Sequence, residues 1–243
     1  PAIAIAAFQA INENNDSLLL VLAADHYISD SSKFRNTITI GKESANQGKL
    51  VTFGIKPTSA ETGYGYIEVK PNKGNRETHD LEINRFIEKP SLEEAKILIK
   101  DNKYLWNSGI FLFKATVILQ EIKKYHPMIY KTCKNSYLKK TDDLDFQRIG
   151  VDDFKHCPDL SIDYAVMEKT KLGTVIKLDL GWSDIGSWDA LWKMKEKDLY
   201  GIVKEGNVIT YDTKDSLLYS QHRLIVGLGI KNLLVIETND AIL

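Results

Sequence analysis

The chain has 243 residues, 32 Lys and Arg against 33 Asp and Glu, and 43% hydrophobic residues. That length fits one large domain, or one domain with a smaller appendage, and the apolar fraction can fill a sizeable core. A net charge of −1 excludes a strong field for a polyanion, and no apolar run approaches the ~20 residues of a membrane helix, so neither nucleic acid nor a membrane is an expected partner.

The opening run Pro1-Ala-Ile-Ala-Ile-Ala-Ala-Phe reads as a helix with Pro in its first turn. Its apolar residues surround the axis, so burial is expected, and without a basic leader it is not a signal peptide. There is no initiator Met, and a domain rarely starts on a buried helix, so an upstream segment is expected. Ser17–Ala24 is a continuous apolar run suited to a strand covered on both faces, stopping at Asp25-His26. A helix is expected between an N-cap at Asp30 or Ser31 and a C-cap at Gly48, followed by a second buried strand, Leu50–Ile55. Alternation at this spacing points to a parallel sheet built from crossover units.

Gly63–Val69 leads into a strand, and Lys70–Asp80 reads as a polar, mobile loop. Ile83–Pro90 is a strand ended by its proline. Ser91-Leu-Glu-Glu is a capping box opening a helix through about Asn102. Trp106–Lys114 contains a strand, and Thr116–Tyr125 is an amphipathic helix. Residues Lys139–Pro158 are too charged and irregular to assign. Ser161–Lys169 reads as a short helix, Thr174–Leu180 as a strand and Ser187–Lys195 as another helix. After Asp198 the texture changes to short alternating runs about ten residues apart, which suggests a small all-β unit. The expected division is therefore a core over 1–197 and a β unit over 198–243, still apolar where the chain stops. Cys133 and Cys157 could pair, but two isolated cysteines in a chain this long more often are free thiols of a reducing cytosol. The expectation is a soluble cytoplasmic enzyme.

Several residues could carry chemistry. Asp25 follows a buried strand, at the carboxyl edge where open α/β sheets bind ligands, or it caps a turn. Asp184 lies between Gly181 and Gly186 in a strand-to-helix turn, where it serves a site, or where it or Ser187 caps the helix starting near Trp188. Two carboxylates at sheet ends without a Cys/His cluster suit Mg2+, which takes a few carboxylates plus substrate phosphates. Glu88-Lys89-Pro90 offers an acceptor for hydroxyls and a point charge for a phosphate, or only a surface ion pair beside a turn. Asn107-Ser-Gly alone reads as a turn.

Ala24-Asp25-His26, Glu61-Thr-Gly-Tyr-Gly-Tyr-Ile, Phe86-Ile-Glu-Lys-Pro, Trp106-Asn-Ser-Gly-Ile-Phe-Leu-Phe, Ser161-Ile-Asp-Tyr-Ala-Val-Met-Glu and Trp182-Ser-Asp-Ile-Gly-Ser-Trp occur in this order. Together they closely resemble the bacterial mannose-1-phosphate guanylyltransferases, including long enzymes fused to a mannose-6-phosphate isomerase. The resemblance implies an α/β nucleotide-diphospho-sugar transferase fold: a mixed, mainly parallel sheet with helices on both faces, then a short β-helical tail. It implies synthesis of GDP-mannose and pyrophosphate from GTP and mannose 1-phosphate with Mg2+. Asp25 and Asp184 would hold the metal, Glu88 the sugar hydroxyls and Lys89 the sugar phosphate. Asn107 and the backbone at Gly65 would contact mannose, and Asp163 lies in a family motif without a derived role.

Two departures stand out. Ala23 occupies the place where the family usually has Pro before Ala-Asp-His. The family's opening strand and its Gly-x-Gly-x-Arg phosphate loop have no counterpart in this sequence, so these residues alone are expected to be inactive and to bind GTP poorly. Alternatives are a related sugar-1-phosphate thymidylyl- or uridylyltransferase, or a non-catalytic regulatory paralogue. The five histidines have no metal-site spacing, which argues against isomerase chemistry. Homo-oligomerisation stays open.

Overall fold

The computed structural model describes residues 1–13, 16–71 and 80–243. Most of the Lys70–Asp80 loop therefore lies outside the described residues. The chain divides into two compact units, Pro1–Ala24 with Ile28–Trp182, and Asp25–Tyr27 with Ser183–Leu243.

The chain opens with α1 (Ala2–Glu13), β1 (Leu18–Val21), β2 (Tyr27–Ile28), α2 (Ser31–Asn46) and β3 (Leu50–Ile55). Asp30 caps α2, accepting from the amides of Ser32 and Lys33 at 3.1 and 2.9 Å. Gly48 follows its far end at φ +85°, the left-handed conformation that glycine adopts without a Cβ clash. Next come β4 (Tyr66–Val69), β5 (Asp80–Ile87) and α3 (Leu92–Leu98). The Ser91/Glu94 capping box opens α3, but the helix ends at Leu98, short of the expected Asn102. There Lys100 and Asp101 make i→i−3 bonds that tighten the chain into a turn.

The run continues with β6 (Tyr104–Lys114), α4 (Ala115–Tyr125) and α5 (Pro127–Leu138). Helix α5, absent from the sequence reading, has Pro127 in its first turn, where the missing N–H costs no helical bond. The unassigned stretch forms the hairpin β7 (Thr141–Asp143) and β8 (Phe146–Arg148), then α6 (Val151–Phe154). Asp163–Met167 is a π-helical turn, closed by the Glu168 amide on the Asp163 carbonyl at 3.0 Å. The expected longer helix over Ser161–Lys169 contracts to this. The elements β9 (Gly173–Lys177), β10 (Trp182–Ser183) and α7 (Trp188–Met194) complete the middle of the chain.

The main sheet has the order β1-β6-β3-β9-β5-β4, with an additional ladder between β4 and β6. It is mixed. Strands β1, β3, β4 and β9 run one way and β5 and β6 the other, so β3–β9 is the parallel ladder among those described. The crossover strands β1 and β3 are not neighbours, because the 11-residue β6, apolar on both faces, lies between them. Side chains alternate across the sheet. Leu50, Phe111, Phe113 and Val175 pack with α1, α4 and α5, while Val51, Phe53, Ile110, Leu112 and Ile176 pack with α2. Helices thus cover both faces.

Two expectations need correction. Only Ala4 and Ala7 of α1 are buried, and Ala2 and Ala6 are exposed, because α1 covers α4 and α5 with one side only. Strand β1 is not sealed on both faces: Leu20 is 40% exposed, and among the described residues β1 pairs with β6 alone.

In the second unit Ser187 caps α7, whose Leu191 and Trp192 pack on Val203, Leu217 and Ile236. These belong to a coil of short parallel strands, β11 (Val203–Glu205), β12 (Val208–Tyr211), β13 (Leu217–Ser220), β14 (Ile225–Leu228) and β15 (Leu234–Glu237). β11, β13 and β15 stack in one ladder and β12 and β14 in another. The textural change at Asp198 and the compact-unit boundary at Trp182–Ser183 differ because α7 packs on the coil. Among the described residues no helix is long and apolar enough to cross a membrane.

Candidate active site

Strand register assembles the first group of residues. In the β4–β5 ladder Tyr66 faces Ile87, and in the β4–β6 ladder it faces Trp106. One step further along, Gly65 lies between Glu88 and Asn107. The Asn107 amide donates to the Gly65 carbonyl at 2.8 Å. A Cβ on Gly65 would meet Glu88 Oε2 at 2.5 Å, so glycine is what lets the carboxylate lie against the backbone there.

Glu88 Oε2 is buried with no hydrogen-bond partner. Burial, reinforced by the Asp163 charge and opposed by Lys89, pushes the Glu88 carboxyl up to about 7. Asp163, at the start of the π-turn, is also raised by burial, although hydrogen bonds from Asn107 and Ser161 favour its charged form. Asn107 Nδ2 donates to Asp163 Oδ1 at 3.0 Å, and Thr52 Oγ1 donates to Asn107 Oδ1 at 2.9 Å. The structure therefore brings Gly65, Glu88, Asn107 and Asp163 together. The result is an acceptor-rich cluster with one unsatisfied oxygen, suited to hydroxyl donors. Lys89 is exposed and adopts φ +45°, an uncommon backbone for a residue before proline.

Three aromatic residues from three of the sequence motifs pack together beside this group. Tyr64 meets Trp106 edge-on at 5.1 Å and Trp182 edge-on at 5.4 Å. Neither Thr52 nor Tyr64 was singled out from the sequence. The signal for Thr52 was a polar residue within the otherwise apolar Leu50–Ile55 run; Tyr64 stood within the Glu61-Thr-Gly-Tyr-Gly-Tyr-Ile motif without a role of its own.

Asp25 and Asp184 belong to the second unit. Strands β2 and β10 pair, and the Ser29 amide, one residue past β2, donates to the Gly181 carbonyl, one residue before β10, at 3.1 Å. The ladder is therefore antiparallel. Asp25, just before β2, and Asp184, just after β10, lie off the same end of it. Asp25 is exposed and Asp184 half-buried. Asp184 Oδ1 accepts from the Gly186 amide at 3.3 Å, and Ile185 between them adopts φ +47°, a strained value for a β-branched side chain. Such oxygen-only donors fit a hard divalent cation that keeps water and phosphate oxygens as its other ligands. Among the described residues no cluster of three or more His, Cys, Asp or Glu could hold a metal.

The nucleotidyl transferase family profile matches residues 1–201, and that of the MannoseP isomerase/GMP-like beta-helix domain matches residues 206–243. A putative mannose-1-phosphate guanylyltransferase of Vibrio cholerae is 48% identical over 244 residues, covering 100% of this chain and 52% of that protein. Mannose-1-phosphate guanylyltransferase 2 of Escherichia coli O157:H7 is 47% identical over 249 residues, covering 100% of this chain and 52% of its own length. The chain thus spans about half the length of these relatives. A crystal structure titled mannose-1-phosphate geranyltransferase, from Thermus thermophilus, superposes with a TM-score of 0.85 at 30% identity, covering 100% of this chain and 69% of that one. With its larger unit matched along its whole length and a solved relative covering every residue, the chain belongs to the nucleotidyl transferase family.

Proposed function

We propose that the protein containing this chain is a mannose-1-phosphate guanylyltransferase, which joins GTP and mannose 1-phosphate into GDP-mannose and pyrophosphate. The observation that carries the reading is the buried, unpartnered Glu88 oxygen beside Gly65, Asn107 and Asp163. It is an acceptor held ready for a sugar hydroxyl, and the names of the V. cholerae and E. coli relatives supply the sugar and the base. In the reaction a sugar-phosphate oxygen attacks the α-phosphorus of GTP and the bond to pyrophosphate breaks in line, with no covalent enzyme intermediate.

The residues divide the work. Glu88, Asn107 and the Gly65 backbone orient mannose, with Asp163 bracing Asn107. Lys89 neutralises the sugar phosphate, and its exposed ammonium suits a mobile anionic group. Nucleotidyl transferases generally use a divalent metal. Asp25 and Asp184 would hold it here as Mg2+, which supplies charge neutralisation at the transferring phosphate. We assign catalysis to residues 1–197, regard 198–243 as an appended β unit, and place the reaction in the cytoplasm.

The test is direct. The intact protein is incubated with mannose 1-phosphate, GTP and Mg2+, and pyrophosphate and GDP-mannose are quantified. Equimolar products are expected. A preference for glucose 1-phosphate with UTP or dTTP would move the protein to another branch, and no product from any pair would remove the enzymatic reading.

A further inference from the structure

We infer that Thr52 is a positioning residue for sugar recognition: its hydroxyl fixes which way the Asn107 amide faces. This rests on the reading of Asn107 as a mannose contact. Thr52 lies in β3, fully buried, immediately before the register shift that separates its pairing with Phe111 from the pairing of Gly54 with Asn107. It is sealed from solvent, so it acts through its neighbour and not on substrate.

The hydrogen-bond directions make the case. An ionised Asp163 only accepts, so Asn107 must turn its NH2 toward it, as the 3.0 Å contact records. The amide carbonyl then faces the other way, into the sheet, and needs a donor in a place without water. Thr52 Oγ1 supplies it at 2.9 Å. The same hydroxyl lies 3.1 Å from the Ile110 carbonyl, a competing acceptor that would satisfy Thr52 by itself. The bond to Asn107 is therefore not needed to bury Thr52, but it is needed to orient Asn107. The main chain of Asn107 is held separately by its bond to Gly65, which leaves the side-chain amide as the one free choice. Without the hydroxyl, either the carbonyl is buried unpaired or the amide turns over and presents its oxygen to the Asp163 carboxylate. Both outcomes disturb the group that faces the sugar.

The experiment measures calorimetric binding of mannose 1-phosphate, and KM for each substrate, in the intact protein and its Thr52→Val and Thr52→Ser variants. Valine keeps the shape and loses the hydroxyl; serine keeps the hydroxyl. Thr52→Val is expected to weaken mannose 1-phosphate roughly 5- to 100-fold with the GTP constant within about twofold, and Thr52→Ser to stay near the parent. If Thr52→Val does not fold, Thr52→Ala against Thr52→Ser carries the same comparison. A parent that does not bind mannose 1-phosphate overturns the underlying reading and this inference with it. A parent that binds, with an unchanged valine variant, overturns the inference alone. Equal losses for GTP and sugar phosphate would reduce Thr52 to a structural residue and also overturn it.

Discussion

Replacing Glu88 by Gln isolates the cost of holding a carboxylate against Gly65. The Glu88 carboxyl moves from 4.5 to about 7 in the folded chain, chiefly through burial. The unfolded chain gives up this proton first, so the group's contribution to stability is fully present below pH 4.5 and is lost as pH rises to about 7. Taken alone the gap corresponds to about 3 kcal/mol. Glu88 is only half-buried, and solvent screening reduces this to roughly 1–2 kcal/mol. Glutamine has the same shape and no proton to lose. Thermal unfolding of parent and Glu88→Gln at pH 5 and pH 8.5 should therefore show the variant gaining on the parent by roughly 2–8 °C between the two conditions. Any constant offset reflects the amide's hydrogen bonding and cancels in the difference. A melting difference that is the same at both pH values would mean that the carboxyl is ordinary and that the pocket is open to water.

Other substitutions probe the remaining parts. Asp25→Asn or Asp184→Asn should each lower Mg2+-dependent turnover at least ~100-fold, since each removes charge opposite the transferring phosphoryl group; near-normal steady-state rates in both would overturn the metal assignment. Lys89→Ala should weaken mannose 1-phosphate about 10- to 150-fold and GTP much less, the loss of one charge-assisted hydrogen bond. A titration in which only the GTP constant moves would contradict that placement. Gly65→Ala should lower the melting temperature only slightly, because the atom it strikes is the far end of Glu88, which can swing away, although the buried Phe86 ring, 3.2 Å from the new Cβ, must also give a little. The sugar-phosphate KM should rise all the same, and kinetics with an unaltered KM would show that the position of Glu88 is immaterial.

What the sequence made legible depended on how local the cause was. The Leu50–Ile55 strand, the Ser91 capping box and the caps at Asp30 and Ser187 rest on a few adjacent residues, and each has its counterpart in the structure. The neighbourhood of Gly65 is different. It arises from two ladders that share Tyr66, and no spacing within the sequence encodes that register. The juxtaposition of Glu88 and Asn107 came to the sequence reading through family resemblance, not through periodicity. The place of β6 between β1 and β3 was hidden for the same reason, since an apolar run announces burial but not its neighbours. Helix α5 was missed because the polar Thr132 and Ser136 share its buried face and dilute the apolar stripe, although Ile129, Cys133 and Tyr137 recur there every four residues. The exposure of β1 and α1 shows the limit of hydropathy: composition says what can be buried, and tertiary neighbours decide how much is.

The π-turn at Asp163 has a consequence for chain length. Its closing bond reaches back five residues, one more than an α-helix uses, so the segment carries a surplus residue. Deleting one residue among Tyr164–Met167 would let the turn relax to α geometry and rotate the segment before it by about 100° against the segment after it. Either Asp163 would leave Asn107, or Ala165, Val166 and Met167 would leave the interior they now fill. A conservative substitution in the same stretch forces no such choice. Here an insertion or deletion is the damaging mutation, and the number of residues between Asp163 and Glu168 matters more than their identity.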